Sequence, residues 1–379
     1  MNTIKNITLV QFRNYSSASF HFPQPITCIT GPNGSGKTNL LDAVYYLCYT
    51  KSYFTSLQQN NVQKGMDGFR VQGTLVRAES EDRGADGDAP SPTPLRGAEG
   101  PGEVIICKWK QGKKELSADG VEYEKLTDHI GKYAAVMIAP DDMELINDGS
   151  ELRRKWVDSI LSQTDREYLE RLIRYQKVLL QRNAWLKMHF LNPPSDSPEL
   201  EHYNRVLSED GAYIYQKRHL FISSFMPLLQ AYYQELSGGK ERIDVVYESA
   251  LAQQGMWELL EHSFQNDLRM QRTTRGVHRD DWTFLQDGAP VKQFGSQGQK
   301  KSFLFAMKLA QYTYLHQVQR HKPILLLDDI FEKLDQSRME ALLRIIRGPA
   351  FGQVILTDTH AGRVEQAFGG REGIEFIEL

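Results

Sequence analysis

Hydrophobic positions divide the chain into strand-like ends and a helical middle. Residues 4–10 alternate between apolar and polar, and residues 25–30 form an apolar run that enters a glycine-rich loop, so both segments are predicted strands. A helix is predicted directly after that loop, over 39–49. Further strands are predicted at 68–76, 104–110, 282–285, 324–327 and 354–357, with a turn at Asp287-Gly288 and a helix over 299–319.

The middle of the chain, 152–272, has a helical pattern. Helices are predicted over 165–190 and 199–236, because a Pro-Pro break separates them and Gly238-Gly239 ends the second. Their apolar positions do not keep a heptad register over several repeats, so we expect packed helices and no long coiled coil.

Length, composition and charge set limits on the protein. A chain of 379 residues exceeds one compact core, so at least two lobes are expected. Residues 78–103 are rich in Gly, Pro, Ser and acids and predict a disordered insertion. The net charge of -3 gives no global attraction for DNA, so any such contact needs a local basic surface. Three cysteines without metal or disulfide spacing, and no signal peptide or apolar run of about 20 residues, favour a soluble, cytoplasmic protein.

The glycine-rich loop carries the first candidate chemistry. Its sequence satisfies the phosphate-loop pattern and has the required strand before it and helix after it. Backbone N–H groups of such a loop surround phosphate oxygens, and the lysine adds a mobile positive charge. The expected contacts to ATP are Gly31, Pro32, Asn33, Gly34, Ser35, Gly36, Lys37 and Thr38, with the Thr38 hydroxyl placed to hold Mg²⁺.

A second candidate segment closes the apolar run 323–327 with two carboxylates. Because a buried parallel strand ends at the ligand crevice, Asp328 is expected to bind Mg²⁺ and Asp329 to polarise the attacking water, with Lys37 and Asp329 as the catalytic pair. Asp328 lies 291 positions after Lys37, so a large segment is inserted between the halves of the site. The predicted organisation is an ATPase lobe from 1–145 and 299–379, with a mainly helical lobe over 146–298.

A third segment precedes the helix that leads to the acidic strand. Ser296, Gln297, Gly298 and Gln299 stand at its start, where a serine hydroxyl and free N–H groups can form an anion site. The alternative is an ordinary helix cap. In ATPases of the ABC type a signature serine occupies this place and completes the ATP site of the opposite subunit, so we favour a signature motif that acts in trans.

Six segments in order resemble one family, RecF. They are 10–15 (Val-Gln-Phe-Arg-Asn-Tyr), the phosphate loop extended through 43, 139–146 with 152–155, 276–281 (Gly-Val-His-Arg-Asp-Asp), 296–299 and 327–329. The resemblance implies an α/β fold with an ABC-type P-loop ATPase lobe of mixed β-sheet. It also implies an inserted, mainly helical second lobe in place of the long coiled-coil arms of SMC proteins. Arg13 and Asn39 would join the ATP site.

The resemblance also implies a function. It suggests an ATP-dependent homodimer that binds gapped or junction DNA and works with RecR and RecO in loading RecA, while slow, DNA-stimulated ATP hydrolysis releases it. Val277 replaces the family's usual proline, and Asp329 replaces the glutamate of related ABC ATPases. His360, with Thr359, stands one place beyond the usual switch histidine. His360 could sense the γ-phosphate or face solvent, and His278 could touch nucleotide or hold the following hairpin.

The contacts to DNA rest on charge alone. Candidates are Arg153, Arg154 and Lys155, together with a helix face that carries Arg171, Arg174, Lys177 and Arg182. Helix faces of this charge density are usually only solvated. Three rival functions remain from the residues alone: an ABC ATPase that energises a membrane transporter, a P-loop kinase for a small molecule, and a binding module in which ATP is structural.

Overall fold

The protein separates into two compact units. The computed structural model describes residues 1–77, 102–194, 196–239, 241–330 and 335–379. The sheet unit comprises Met1–Asp142 with Met307–Leu379, and the helical unit comprises Met143–Ala306. The predicted insertion at 78–103 lies outside the described residues, apart from its last two positions.

The first segment of the sheet unit is mostly an antiparallel sheet. Its elements are β1 (Asn2–Phe12), β2 (Tyr15–His21), β3 (Ile26–Thr30), α1 (Lys37–Tyr49), β4 (Gly68–Arg77), β5 (Glu103–Lys110), β6 (Lys113–Ala118), β7 (Val121–Glu122) and β8 (Ala135–Ile138). The antiparallel order is β2-β1-β4-β5-β6-β7. In β1 the register shifts between Ile4 and Asn6, and the inward face changes from even positions to Ile7 and Leu9. The buried face of this sheet packs on α1 through edge-to-face rings of Phe12, Tyr46 and Phe69.

The helical unit is built around one long helix. Its elements are α2 (Glu144–Asn147), α3 (Ser150–Thr164), α4 (Arg166–Met188), α5 (Pro198–Ser237), β9 (Ile243–Glu248), α6 (Met256–Met270), β10 (Asp281–Gln286), β11 (Ala289–Pro290), α7 (Val291–Phe294) and the first part of α8 (Gln297–Gln319). The side chain of Ser197 caps α5, Pro198 follows in its first turn, and Gly238 ends it with φ 76°. No described helix is long and apolar enough to cross a membrane.

The second segment of the sheet unit completes a parallel sheet. It adds β12 (Ile324–Leu327), α9 (Gln336–Ile346), β13 (Val354–Asp358), α10 (Ala361–Phe368) and β14 (Ile374–Glu378). The order is β14-β3-β13-β12-β8, and every pairing is parallel. Strands β3, β12 and β13 are nearly continuous apolar runs, as expected of strands buried on both faces. Their carboxyl ends therefore meet at one edge of the sheet.

Most predicted elements are confirmed, with one clear omission. The described residues contain the expected parallel and antiparallel strands, the helical second unit and no long coiled coil. The helical pattern predicted from 152 to 272 did not include β9, which pairs with β10. In β9 the inward Ile243 and Val245 alternate with exposed residues, so the period of two was present but too short to stand out.

A buried arginine organises the helical unit. Arg218, in the middle of α5, is 2% exposed. Its guanidinium donates to the Asp158 carboxylate at 2.9 and 3.1 Å and to Asp280 Oδ2 at 2.8 Å. It also donates to the Val277 carbonyl at 2.7 Å. Because α3, α5 and the loop before β10 supply these groups, one side chain connects three parts of the unit.

We expect Arg218→Met to destabilise the protein strongly. The substitution keeps much of the side-chain volume but leaves the carboxylates of Asp158 and Asp280 without their cation. Removing one partner of a buried ion pair typically costs about 3–5 kcal/mol. Urea unfolding followed by circular dichroism should show this loss. Lys217→Met is the matched control, because the Lys217 side chain is 34% exposed and its pair with Asp165 is partly solvated. If both substitutions lower the free energy of unfolding by the same small amount, Arg218 does not organise the helical unit.

Candidate nucleotide site

The glycine-rich loop lies at the carboxyl edge of the parallel sheet, between β3 and α1. Gly36 has φ 115°, a left-handed conformation that favours glycine. A Cβ atom there would lie 2.6 Å from Asn14 Nδ2 and 2.8 Å from the Tyr15 hydroxyl. The Tyr15 hydroxyl donates to the Gly36 carbonyl and Asn14 Nδ2 to the Ser35 carbonyl. The turn between β1 and β2 therefore supports the loop closely enough to exclude a side chain.

The side chain of Lys37 folds back over the loop. Lys37 is the first residue of α1 and is 7% exposed. Its ammonium donates to the carbonyls of Gly31 at 2.7 Å and Pro32 at 3.0 Å. These acceptors are neutral, so the cation has no carboxylate partner there. A phosphate group placed in the loop would give Lys37 a charged acceptor and would face the N–H groups at the positive end of α1.

Asp328 joins the two distant halves of the site. It follows β12 and is 4% exposed. The Thr38 hydroxyl lies 2.9 and 3.1 Å from its two carboxylate oxygens, and the Thr357 hydroxyl donates to Oδ1 at 2.9 Å. Burial raises the pKa of Asp328 despite these hydrogen bonds, because the charged carboxylate is removed from water.

The oxygen atoms at Thr38 and Asp328 suit a magnesium ion. Mg²⁺ prefers hard oxygen ligands and is usually bound by one or two protein oxygens, water and substrate phosphates. A cation would also relieve the cost of holding the Asp328 charge away from water. No group of three or more His, Cys, Asp or Glu side chains in the described ranges could hold a metal. A cation here would therefore need oxygen atoms from a nucleotide or from water.

Asp329 has an unusual backbone and a free oxygen. Its φ is 48°, which is uncommon for a residue with a side chain. Its N–H donates to the Thr357 hydroxyl at 2.9 Å. Its Oδ1 is buried and accepts no hydrogen bond from the described residues. This carboxylate can therefore accept a proton or a hydrogen bond from a water molecule next to the Asp328 site.

Arg13 and Asn39, both predicted in the ATP site, hydrogen bond to each other. The Arg13 guanidinium donates to Asn39 Oδ1 at 2.8 Å, to Asn61 Oδ1 at 3.2 Å and to the Asp42 carboxylate at 2.5 Å. It also donates to the Ser52 hydroxyl. Arg13 thus fastens the β1–β2 turn to α1 with four of its five guanidinium N–H groups.

Ser296 and Gln299 form a capping box in the helical unit. The Ser296 N–H donates to Gln299 Oε1 at 2.7 Å, and the Gln299 N–H donates back to Ser296 Oγ at 3.2 Å. Gln299 Nε2 is held in turn by Glu241 at 2.7 Å. Ser296 and Gln297 remain exposed at the beginning of α8. The capping box therefore fixes the shape of the segment and leaves the serine accessible. The serine lies at the N-terminus of α8, a helix of 23 residues.

The two candidate histidines differ in their surroundings. His278 Nδ1 lies 2.8 Å from the Tyr175 hydroxyl, and its Nε2 lies 3.1 Å from the Thr273 carbonyl. Because a carbonyl only accepts, Nε2 carries a proton, and in the neutral ring Nδ1 then accepts from the Tyr175 hydroxyl. Burial lowers the pKa of His278 to about 4. His360 is exposed at the N-cap of α10, and its role as a switch stays a prediction, as does that of Thr359.

The predicted DNA contacts are only partly available. Arg153 is 7% exposed and donates to both carboxylate oxygens of Asp281 at 2.7 and 2.9 Å. Arg182 is fully buried and bonded to Asp267 at 2.8 Å. The prediction of phosphate contacts is therefore wrong for Arg153 and Arg182, because their charges are neutralised inside the unit.

The other basic candidates keep some exposure. Arg154 Nη1 donates to the Asp280 carbonyl at 2.7 Å, and Lys155 forms an exposed pair with Glu151. Arg171 and Arg174 share the buried Asp210. Lys177 is exposed and has no side-chain partner within the described ranges. None of these arrangements prevents phosphate binding, and none favours it.

Three residues of the site were not predicted. Thr357 bridges Asp328 and the Asp329 backbone, and Asn14 and Tyr15 support the loop. Thr357 is the last position of the predicted strand 354–357, and a polar residue at the carboxyl end of a parallel strand was the available signal. Asn14 and Tyr15 follow β1, whose connection to the loop depends on the sheet topology.

Comparisons with known proteins extend over nearly the whole chain. A family model described as the RecF/RecN/SMC N terminal domain matches residues 3–374. The DNA replication and repair protein RecF of Flavobacterium johnsoniae is 42% identical over 363 residues, which cover 96% of this chain and 95% of that protein. RecF of Bacteroides thetaiotaomicron is 37% identical, with 97% and 94% covered.

Solved structures are similar in fold. A structure of the recombination mediator protein RecF-ATP in the RecFOR pathway has a TM-score of 0.82 and 26% identity, and the match covers 95% of this chain and 92% of that one. An Smc head domain from Pyrococcus furiosus has a TM-score of 0.54 and 16% identity, with 97% and 91% covered. The second likeness concerns the fold alone.

We expect His278 to make stability depend on pH. An unfolded histidine has a pKa of about 6.5, whereas folding lowers the pKa of His278 to about 4. The unfolded state therefore binds more protons between these values, and stability is full above pH 6.5 and lost as the pH falls towards 4. Between pH 7.5 and 5 this group should lower the free energy of unfolding by about 2 kcal/mol.

Urea unfolding at both pH values measures this effect. Between pH 7.5 and 5, the free energy of unfolding of His278→Gln should fall by about 2 kcal/mol less than that of the original protein. His262→Gln, at an exposed position, is the control and should keep the original pH dependence. An unchanged pH dependence in His278→Gln would rule out the neutral, hydrogen-bonded histidine.

Proposed function

Because the chain belongs to the RecF family of DNA replication and repair proteins, we propose that it is an ATP-dependent clamp on DNA. ATP binds the phosphate loop of one subunit, and Ser296 of a second subunit closes the site. The resulting homodimer holds gapped or junction DNA, and slow hydrolysis releases it. In this proposal the protein is a weak, DNA-stimulated ATPase in which nucleotide acts as a switch.

One observation supports the clamp most directly. Asp328 fixes Thr38 by hydrogen bonds across 290 positions of sequence, so the phosphate loop and the acidic strand form one preorganised half-site. Ser296 is separately exposed in a rigid capping box. A helix N-terminus with an accessible hydroxyl is suited to an anion such as a γ-phosphate. Two complementary half-sites on one chain would allow two copies to complete two sites by symmetry.

Each residue of the half-site has a proposed role. Lys37 exchanges its two carbonyl partners for the phosphates, and the loop N–H groups from 31 to 38 bind the same oxygens. Thr38 and Asp328 would hold Mg²⁺, which neutralises phosphate charge when bound. Asp329 uses its free Oδ1 to orient a water molecule for attack. Its carboxylate is one methylene shorter than the glutamate of related ATPases, which is consistent with slow turnover.

The partners are inferred from the relatives. The similar structure of RecF-ATP is described as a recombination mediator in the RecFOR pathway. We therefore propose that this protein acts with RecR and RecO and assists the loading of RecA on DNA. For DNA contact outside the site, Arg154, Lys155, Arg174 and Lys177 remain candidates, whereas the buried Arg153 is not retained.

We expect Ser296→Arg to abolish dimerisation by ATP. The larger arginine side chain would occupy the space at the start of α8. In the proposed dimer, that space receives the γ-phosphate of the ATP bound to the partner subunit. Sedimentation velocity should show a rise in dimer with ATP for the original protein and none for the variant, which should still bind nucleotide. Ser223→Arg, on the exposed face of α5, is the matched control. If ATP promotes no dimer at all, or if Ser296→Arg dimerises normally, the clamp is wrong.

We expect Lys37→Arg to separate binding from hydrolysis. Arginine keeps the positive charge but has a planar, branched head that cannot reproduce the compact ammonium in a loop that narrow. The variant should bind ATP within roughly tenfold of the original affinity, a difference of about 1.4 kcal/mol, yet release phosphate much more slowly. Fluorescent-nucleotide titration and a phosphate-release assay measure the two quantities. Full turnover in Lys37→Arg would contradict the role given to Lys37.

A further inference from the structure

The segment 276–281 contains one side chain that the fold does not use. Val277 is buried, and His278 is held by Tyr175 and Thr273. Asp280 pairs with Arg218 at 2.8 Å, and Asp281 pairs with Arg153. Arg279 differs from its neighbours, because it is exposed and its side chain has no hydrogen bond or ion pair with the described residues.

Arg279 and Arg275 line one groove of the helical unit. The groove has a volume of about 1010 Å³ and lies between the turn that carries the two arginines and the segment leading into α6. Arg275 is also exposed and without a side-chain partner in the described ranges. The remaining lining is mostly polar and includes Asn266, Thr274 and His262. Two free cations and several neutral hydrogen-bonding groups therefore face the same space.

The turn that carries the arginines is rigid. Gly276 has φ 126°, and a Cβ atom there would lie 2.5 Å from Met256 Cε and 2.9 Å from the Tyr175 hydroxyl. The backbone thus approaches α4 and α6 closely between the two arginines. The Arg279 N–H donates to the Gly276 carbonyl at 2.9 Å, which closes a tight turn. Cations on a fixed backbone lose less conformational freedom when they bind an anion.

The acids that line the groove do not pair with its two arginines. Asp280 bonds through Oδ2 to Arg218, which it shares with Asp158, and to the Tyr247 hydroxyl. Glu248 also lines it, and its carboxylate accepts from the Thr283 hydroxyl at 2.6 Å. Arg275 and Arg279 are exposed and have no carboxylate partner among the described residues, so an anionic ligand can pair with them directly.

We propose that this groove binds the phosphate backbone of a single-stranded DNA segment. The inference rests on the proposed function and gives the single-stranded part of a gap its own site. Its volume is at the upper limit of small-molecule pockets, which run to about 1,000 Å³, so it can admit an extended chain. A duplex is a wider and stiffer cylinder, so we expect it to fit the groove less well than a single strand. A single strand can follow it and place successive phosphates on Arg275 and Arg279.

The groove is built to contact phosphate and not base. Proteins that read single strands by stacking offer an open aromatic face. Tyr247, which lines the groove, stacks on Trp282 with a centroid distance of 5.0 Å and on Tyr215 at 5.8 Å. Its ring is therefore already stacked within the protein. Binding should consequently be insensitive to sequence and strongly dependent on salt.

The test replaces both free arginines by glutamine. Fluorescence anisotropy with a labelled 20-nucleotide oligo(dT), with ATP present, gives affinity as a function of salt. Each phosphate contact to a single strand contributes about 0.7 to the slope of log affinity against log salt, so Arg275→Gln with Arg279→Gln should reduce it by about 1.4. At 0.1 M salt that corresponds to roughly 10- to 30-fold weaker binding. Binding to a blunt duplex should change much less.

Two controls separate this site from general charge effects. Arg272→Gln removes an exposed, unpaired arginine three positions before Arg275 that does not line the groove, and it should keep the original slope. Arg279→Lys retains the charge and should restore most of the slope lost in Arg279→Gln. ATP-dependent dimerisation should be unchanged in all of these variants, which also shows that they fold.

The outcomes distinguish the two proposals. If the original protein dimerises with ATP and binds oligo(dT), but the double variant binds it with unchanged affinity and slope, the groove proposal fails and the clamp stands. An equal loss for oligo(dT) and blunt duplex would also overturn the groove as a single-strand site. If the original protein shows no ATP-dependent DNA binding, the proposed function fails, and the groove proposal fails with it.

Discussion

The hydrogen bonds of Asp328 are the interaction on which the sheet unit and its candidate site depend. Thr38 lies in the first turn of α1 near one end of the chain, and Thr357 lies next to the last residue of β13 near the other. Both hydroxyls reach the same buried carboxylate. This convergence follows from the parallel order of β3, β13 and β12, whose carboxyl ends share one edge. A long insertion is tolerated because it leaves the sheet after β8 and returns through α8, so the edge itself is uninterrupted.

Buried hydrogen-bonded charges also connect the elements of the helical unit. Arg153, Arg182 and Arg218 each lie inside it with a carboxylate partner. A guanidinium can donate five hydrogen bonds in a plane, so it can satisfy acceptors from several elements at once. In a unit made mostly of helices, which present few free backbone groups to each other, such side chains supply the cross-links. Removing these charges from water costs free energy, and this cost is offset because each guanidinium lies within hydrogen-bonding distance of a carboxylate.

The residues that could be predicted from the sequence are those whose role is local. The phosphate loop needs a fixed spacing between a strand and a helix, and β12 is a short apolar run with two acids after it, so the bounds 324–327 match the structure. Arg153 and Arg182 were predicted on a charged surface because helical periodicity does not distinguish a solvated arginine from one with a buried partner 85 or 128 residues away. Thr357 and Arg279 depend likewise on which distant segments meet. Long-range pairing was the information that a single sequence lacked.

Unused bonding capacity separates the candidate functional residues from the structural ones. Arg153, Arg182 and Arg218 each pair with a buried or half-buried carboxylate, and both ring nitrogens of His278 have partners within the protein, so a ligand would gain little by approaching them. Lys37 donates only to neutral carbonyls, Asp329 keeps a buried oxygen without a partner among the described residues, and Arg279 has no side-chain partner there. A buried polar group without a partner carries a free-energy cost that a bound ligand can remove. Phosphate, water and the DNA backbone are the ligands that we propose for Lys37, Asp329 and Arg279, respectively. In these proposals the nucleotide half-site and the groove of the helical unit follow from one constraint. The fold pairs its buried arginines internally, and the groups without a charged partner are the ones that phosphate could bind.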